Sequence, residues 1–199
     1  MSAAGVTVRH DRAAASRLQT IIVITITAIV IGAAAWLVGP LGGNDGVTSI
    51  DLSGDVAGAA PVVGAIPPDF TAQTYDGQTV TLSDYAGQPI WLTFGASWCP
   101  DCRTEAPDVE ATYQAYKDRG LVVLGVFIGE TSDDVASYAE LAGLTFPIAV
   151  DENELVASSY RTLGIPTHFF IGTDGRVKEV RIGALPQSEM ERAVSEILN

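Results

Sequence analysis

Cysteine, histidine and methionine are scarce in this 199-residue chain, at two of each. The cysteines stand together at 99 and 102, whereas the histidines lie far apart at 10 and 168. A structural zinc site needs four such ligands, and no third cysteine exists to supply one. Positive charge is also short: 11 Lys and Arg against 24 Asp and Glu give a net charge of −13 and a pI near 4.3. That balance lacks the electrostatic footprint of a nucleic-acid-binding protein, so no nucleic-acid partner is expected. Internal repeats and low-complexity tracts are missing too, which excludes a solenoid. Charge of either sign is absent from one stretch, residues 18–38.

That stretch is rich in Ile, Val and Ala and is interrupted only by Gln19 and a few threonines. As a helix it measures about 31 Å, close to the thickness of a bilayer core. A secretory signal core is shorter, about 7–15 residues, although Ala33-Ala34-Ala35 offers a cleavage site for that alternative. Arg9, Arg12 and Arg17 precede the run with Asp11 as the only acid. The positive-inside rule then keeps residues 1–17 in the cytoplasm, makes 18–38 a single-pass anchor and places the rest outside. Residues 39–65 are small, polar and punctuated by Gly and Pro; they read as a flexible linker with a reach of about 30 Å, with order against the domain as the alternative for the last of them. One folded domain remains, residues 66–199.

Both cysteines fall where that domain's pattern changes. Residues 91–94, Trp-Leu-Thr-Phe, form a short apolar run that reads as a buried strand. Residues 95–98 turn the chain, and a helix begins at or near Cys99. The spacing Cys-x-x-Cys sets two sulfurs on one helical turn, close enough to bond. The first lies where unpaired N–H groups and the helix dipole favour a thiolate. A purely structural disulfide across so small a loop would restrict the unfolded chain little. The pattern points to thiol-disulfide exchange.

Around this stretch, strands at 71–75 and 79–82 flank Asp76-Gly77, a hairpin signal. The active helix runs to about 119, and residues 121–128 read as a central parallel strand. Thr131 opens a capped helix that Gly143 ends. A strand at 146–150, a short helix at 153–160, a strand after Pro166, a strand at 177–182 and a helix at 187–198 complete an α/β sheet of mixed direction.

Several motifs together carry a resemblance. They are Pro67-Pro68-Asp69-Phe70, the Asp76-Gly77 hairpin, Leu82-Ser83-Asp84-Tyr85-Ala86-Gly87, Trp98-Cys99-Pro100-Asp101-Cys102 with Pro107 beyond it, and Ile165-Pro166-Thr167. In these the chain resembles the thioredoxin superfamily and, within it, the membrane-anchored TlpA/ResA-like thiol-disulfide oxidoreductases of the redoxin (AhpC/TSA) group. The resemblance implies a thioredoxin-like fold with an N-terminal β-hairpin extension, preceded by one transmembrane helix. It implies catalysis by Cys99 and Cys102 and a substrate surface of Trp98, Ile165, Pro166 and Thr167, with Pro166 in cis. Glu105 stands where ResA-like proteins have a glutamate, three residues past Cys102 and on its helix face. It would take the place of the buried Asp that thioredoxins carry at the position of Thr93. The implied activity is reduction of disulfides in exported proteins such as apocytochrome c, with electrons from a membrane thiol carrier of the CcdA/DsbD type. No cofactor is implied beyond the disulfide itself.

Two alternatives stand beside this reading. A peroxiredoxin shares the Pro-Asp-Phe entry but needs a lone peroxidatic Cys within Pro-x-x-x-Thr/Ser-x-x-Cys, which is lacking here. A copper-binding module would use Cys99, Cys102 and His168, yet the Sco-type proteins it would resemble space their cysteines Cys-x-x-x-Cys. His168, first in its strand after Pro166, is otherwise expected to face solvent or to bond locally.

Overall fold

The computed structural model describes residues 22, 25–27, 29 and 60–199. The chain divides into two compact units, Met1–Gly46 and Val47–Asn199. In the first, Ile22, Ile26 and Ile29 are helical and exposed, and Thr25 Oγ1 donates to the Ile22 carbonyl at 3.0 Å. The expected cytoplasmic segment 1–17, and most of the expected anchor 18–38 and linker 39–65, lie outside the described residues. Among the described residues no helix is long and apolar enough to cross a membrane.

In the second unit the hairpin forms as expected. β1 (Thr71–Gln73) pairs antiparallel with β2 (Thr79–Thr81), and Gly77 takes the positive φ of 81° that the turn demands. The Thr74 side chain contacts Asp76 and accepts from Gln78 N at 3.1 Å, closing the turn. A bridge from Thr74 to Ala149 lays this hairpin along the edge of the main sheet, covering an otherwise open strand.

The main sheet has the order β5-β4-β3-β6-β7. β3 (Ile90–Gly95), β4 (Val122–Ile128) and β5 (Ile148–Asp151) run parallel, whereas β6 (Thr167–Ile171) and β7 (Val177–Ile182) join antiparallel. Between them lie α1 (Pro100–Tyr116), α2 (Ser132–Ala142) and the short α3 (Leu155–Ser159), and α4 (Gln187–Ile197) closes the domain. The α2 ends follow their sequence signals. Thr131 and Asp134 form a reciprocal capping box, and Gly143 adopts a left-handed C-cap.

Alternation along the central strands splits the core in two. Trp91, Val123, Phe127 and Phe170 pack with α1, α2 and α4 residues such as Ala106, Val135 and Met190. Leu92, Phe94, Leu124 and Phe169 pack with Phe70, Val156 and Tyr160 on the other side. β6 is interior, and all five of its residues are buried. This corrects the expectation that His168 faces solvent: its alternation partners are Phe170 and, across the ladder, Thr93, so the ring enters the first core with no exposed surface.

Gly64 and Ala65, at the end of the expected linker, are ordered against the domain. Gly64 N donates to the Val177 carbonyl at 2.7 Å, and Val177 N to that of Ala65 at 2.9 Å. The Arg176 guanidinium holds the Gly64 carbonyl at 2.7 Å. Residues read as the end of the linker are therefore tied to β7, because its outer edge offers them backbone partners.

Candidate active site

β3 delivers the chain to the cysteines. Its last residue, Gly95, is followed by Ala96, Ser97 and the exposed Trp98, after which Cys99 serves as the N-cap of α1. Pro100 takes the first helical position, where its missing N–H costs nothing. Cys99 and Cys102 form a disulfide with Cα atoms 5.3 Å apart, a normal separation. The Cys102 backbone N–H points at Cys99 Sγ, 3.2 Å away. An N–H at a helix N-terminus aimed at a sulfur stabilises negative charge there when the bond is reduced. Asp101, in the first turn, is exposed.

The Ile165–Pro166 bond is cis, and the Ile165 carbonyl oxygen lies 3.8 Å from Cys99 Sγ. Ile165 packs on the small cluster of Ala96, Cys99 and Cys102. Pro166 is buried and its carbonyl accepts from Gly183 N at 2.8 Å. Thr167 is buried as well; it pairs with Phe94 and Ile182 in the sheet, and its hydroxyl donates to the Gly164 carbonyl at 2.6 Å. Of the four residues expected to meet substrate, Trp98 and Ile165 lie at the surface beside Cys99, whereas Pro166 and Thr167 brace the loop that presents Ile165. Leu163 and Ile182, both largely exposed, extend the apolar surface from that loop and from the adjoining strand end.

Glu105 lies behind the pair. It is only 5% exposed, on the same buried face of α1 as Cys102, and so is not a solvated helix-surface glutamate. Its Oε2 accepts from Leu185 N at 3.0 Å and stands 3.4 Å from His168 Nε2. The other ring nitrogen, Nδ1, is 3.0 Å from Thr93 Oγ1 and 3.3 Å from the Trp91 indole nitrogen. Both nitrogens of His168 are thus directed at side chains other than the cysteines. Among the described residues no group of three or more Cys, His, Asp or Glu is arranged to hold a metal ion. The copper ligand set of Cys99, Cys102 and His168 is not assembled.

Glu130 went unnoticed in sequence. It follows β4 and is buried, and its carboxylate accepts from Ser97 N at 2.8 Å and contacts the Ser97 hydroxyl. A buried carboxylate bonded to backbone and hydroxyl fixes the turn that carries Trp98 and Cys99. Its only sequence signal is an acid directly after an apolar strand, which many surface loops share.

A model of the AhpC/TSA family matches residues 63–180. The thiol-disulfide oxidoreductase ResA of Geobacillus kaustophilus is 36% identical over 138 residues, covering 69% of this chain and 79% of that protein. A putative thiol:disulfide interchange protein DsbE from Chlorobium tepidum superposes with a TM-score of 0.66 at 28% identity, over 70% of this chain and all of the other. StoA from Bacillus subtilis does so with a TM-score of 0.57 at 26% identity, over 65% and 98%. These neighbours share the thioredoxin-like fold. With its Cys99–Cys102 pair at disulfide distance, the chain belongs to the AhpC/TSA family and, within it, to the ResA-like thiol-disulfide oxidoreductases.

Proposed function

We propose that the protein is a reductant of disulfides in exported proteins, apocytochrome c among them, anchored by residues 18–38 with its catalytic domain outside the cytoplasm. The observation that carries the exchange reading is the buried Glu105 carboxylate on the helix face of Cys102, and the exposed Asp101 between the cysteines, which opposes the thiolate, supports the reductive direction. In the reduced protein the Cys99 thiolate attacks one sulfur of a client disulfide. The S–S bond breaks, the leaving sulfur departs as a thiolate, and a mixed disulfide joins Cys99 to the client. Cys102 then loses its proton to Glu105 and attacks Cys99 Sγ. The Cys99–Cys102 bond forms, and the client leaves with both of its sulfurs reduced. Two electrons pass from protein to client, and a membrane thiol carrier of the CcdA/DsbD type restores the dithiol. The redox group is the cysteine pair itself, so no cofactor takes part. Trp98 and Ile165 receive the polypeptide flanking the client disulfide.

Resolution is the demanding step, because a thiol in a poorly solvated place ionises reluctantly and a neighbouring base helps. The Glu105→Gln variant is expected to stay folded and to reduce a model disulfide about ten- to a hundredfold more slowly. A wild-type rate between about pH 6 and pH 9 would leave Glu105 as a packing residue and contradict the proposed resolving step.

A further inference from the structure

His168 has no part in the proposed exchange, yet it is the only histidine among the described residues and is fully buried. The indole N–H of Trp91, 3.3 Å from Nδ1, can only donate. Nδ1 must therefore present its lone pair, and the single proton of a neutral ring belongs on Nε2. The Thr93 hydroxyl on the same edge can turn to suit either partner. Nε2 finds no well-formed hydrogen bond, and the polar atom it is aimed at is Glu105 Oε2, 3.4 Å away. Were the ring mere core filling, a buried N–H would be left without a partner, which proteins avoid.

We infer that His168, held as its Nε2–H tautomer by the Trp91 indole, is a positioning residue that fixes the Glu105 carboxylate behind Cys102. The inference rests on the reading of Glu105 as the base. Leu185 N–H donates to Oε2 and the Nε2–H of His168 is 3.4 Å from the same oxygen, so Oε1 is the oxygen left for proton uptake from Cys102. The other polar and charged groups around the pair come from every neighbouring element. They are Trp91 and Thr93 on β3, Cys102 on the shared face of α1, and Tyr138 on α2, which feels Arg103 and Glu130 as well as Glu105. Arg181 on β7 is paired in register with His168, and its guanidinium is occupied by Glu179 and by Glu189 of α4. Among the described residues Leu185 N donates to Oε2 and His168 Nε2 stands 3.4 Å from it, which leaves these two groups to orient the carboxylate.

The test uses the full-length chain labelled with 15N-histidine. Only His10 and His168 contribute, and a His10→Ala variant assigns them. At neutral pH the His168 nitrogens are expected to report the Nε2–H tautomer, and Glu105→Gln is expected to move the Nε2 resonance while Nδ1 stays in place. A ring protonated on Nδ1, or an Nε2 resonance indifferent to Glu105→Gln, overturns the inference without reliance on any variant at 168. In kinetic assays, His168→Phe is expected to slow reduction of a model disulfide about tenfold and to change the shape of the pH–rate profile. His168→Gln, which returns a donor, is expected to recover most of both. A wild-type profile for His168→Phe overturns the positioning role. The two readings fail separately. A wild-type rate for Glu105→Gln removes the base, whereas a slowed Glu105→Gln combined with the wrong tautomer removes only His168.

Discussion

Two helix N-termini in this domain meet the same need with different atoms. The first N–H groups of any helix have no partner within it. At α3 they meet a buried carboxylate: Asp151 accepts from Leu155 N at 2.8 Å, Val156 N at 3.2 Å and Ala157 N at 2.8 Å. At α1 the acceptor is Cys99 Sγ, reached by Cys102 N, with the exposed Trp98 next to it. The α3 end is saturated by an oxygen anion and sealed in the core. At the α1 end a buried sulfur beside the exposed Trp98 takes that place, so the same field acts on a group that can react. One feature of helix chemistry thus serves as a lock in one place and as activation in the other.

Exchanging the atoms is the most direct way to break that contrast. Cys99→Ser gives α1 an oxygen cap, so the domain is expected to stay folded while disulfide exchange disappears, as read by thermal melts beside reduction of a model disulfide. Asp151→Ala is expected to do the opposite. Three buried N–H groups lose their acceptor, and unfolding by urea should show a loss of about 3 kcal/mol with the reduction potential unchanged. The α2 cap offers a milder comparison. Its Thr131 and Asp134 box is exposed, so Thr131→Ala is expected to cost about 1 kcal/mol and to leave exchange untouched.

Most of the elements could be seen in sequence because their signals are local. Asp76-Gly77 fixes a hairpin within four residues, and Thr131 with Gly143 brackets α2. Cys99, Cys102 and Glu105 share a helix, so their common face follows from spacing alone. What stayed hidden depends on register between distant strands. His168 meets Thr93 and Trp91 only because β6 lies against β3, joining residues 75 and 77 apart. Glu130 meets Ser97 across 33 positions, and Leu185 N meets Glu105 across 80. The ties of Gly64 and Ala65 were hidden for the same reason, since their partners lie at the start of β7. No single-sequence periodicity carries such pairings.

The proposal that this pair gives electrons away rests also on Asp101, an exposed carboxylate within the Cys-x-x-Cys turn. A negative group there opposes the thiolate, and strongly stabilised thiolates go with oxidants. Equilibrating the full-length chain with glutathione buffers measures the balance directly. The expected reduction potential lies near that of thioredoxin, about −270 mV. A value above about −180 mV, in the range of disulfide isomerase and of DsbA, would contradict a reducing role.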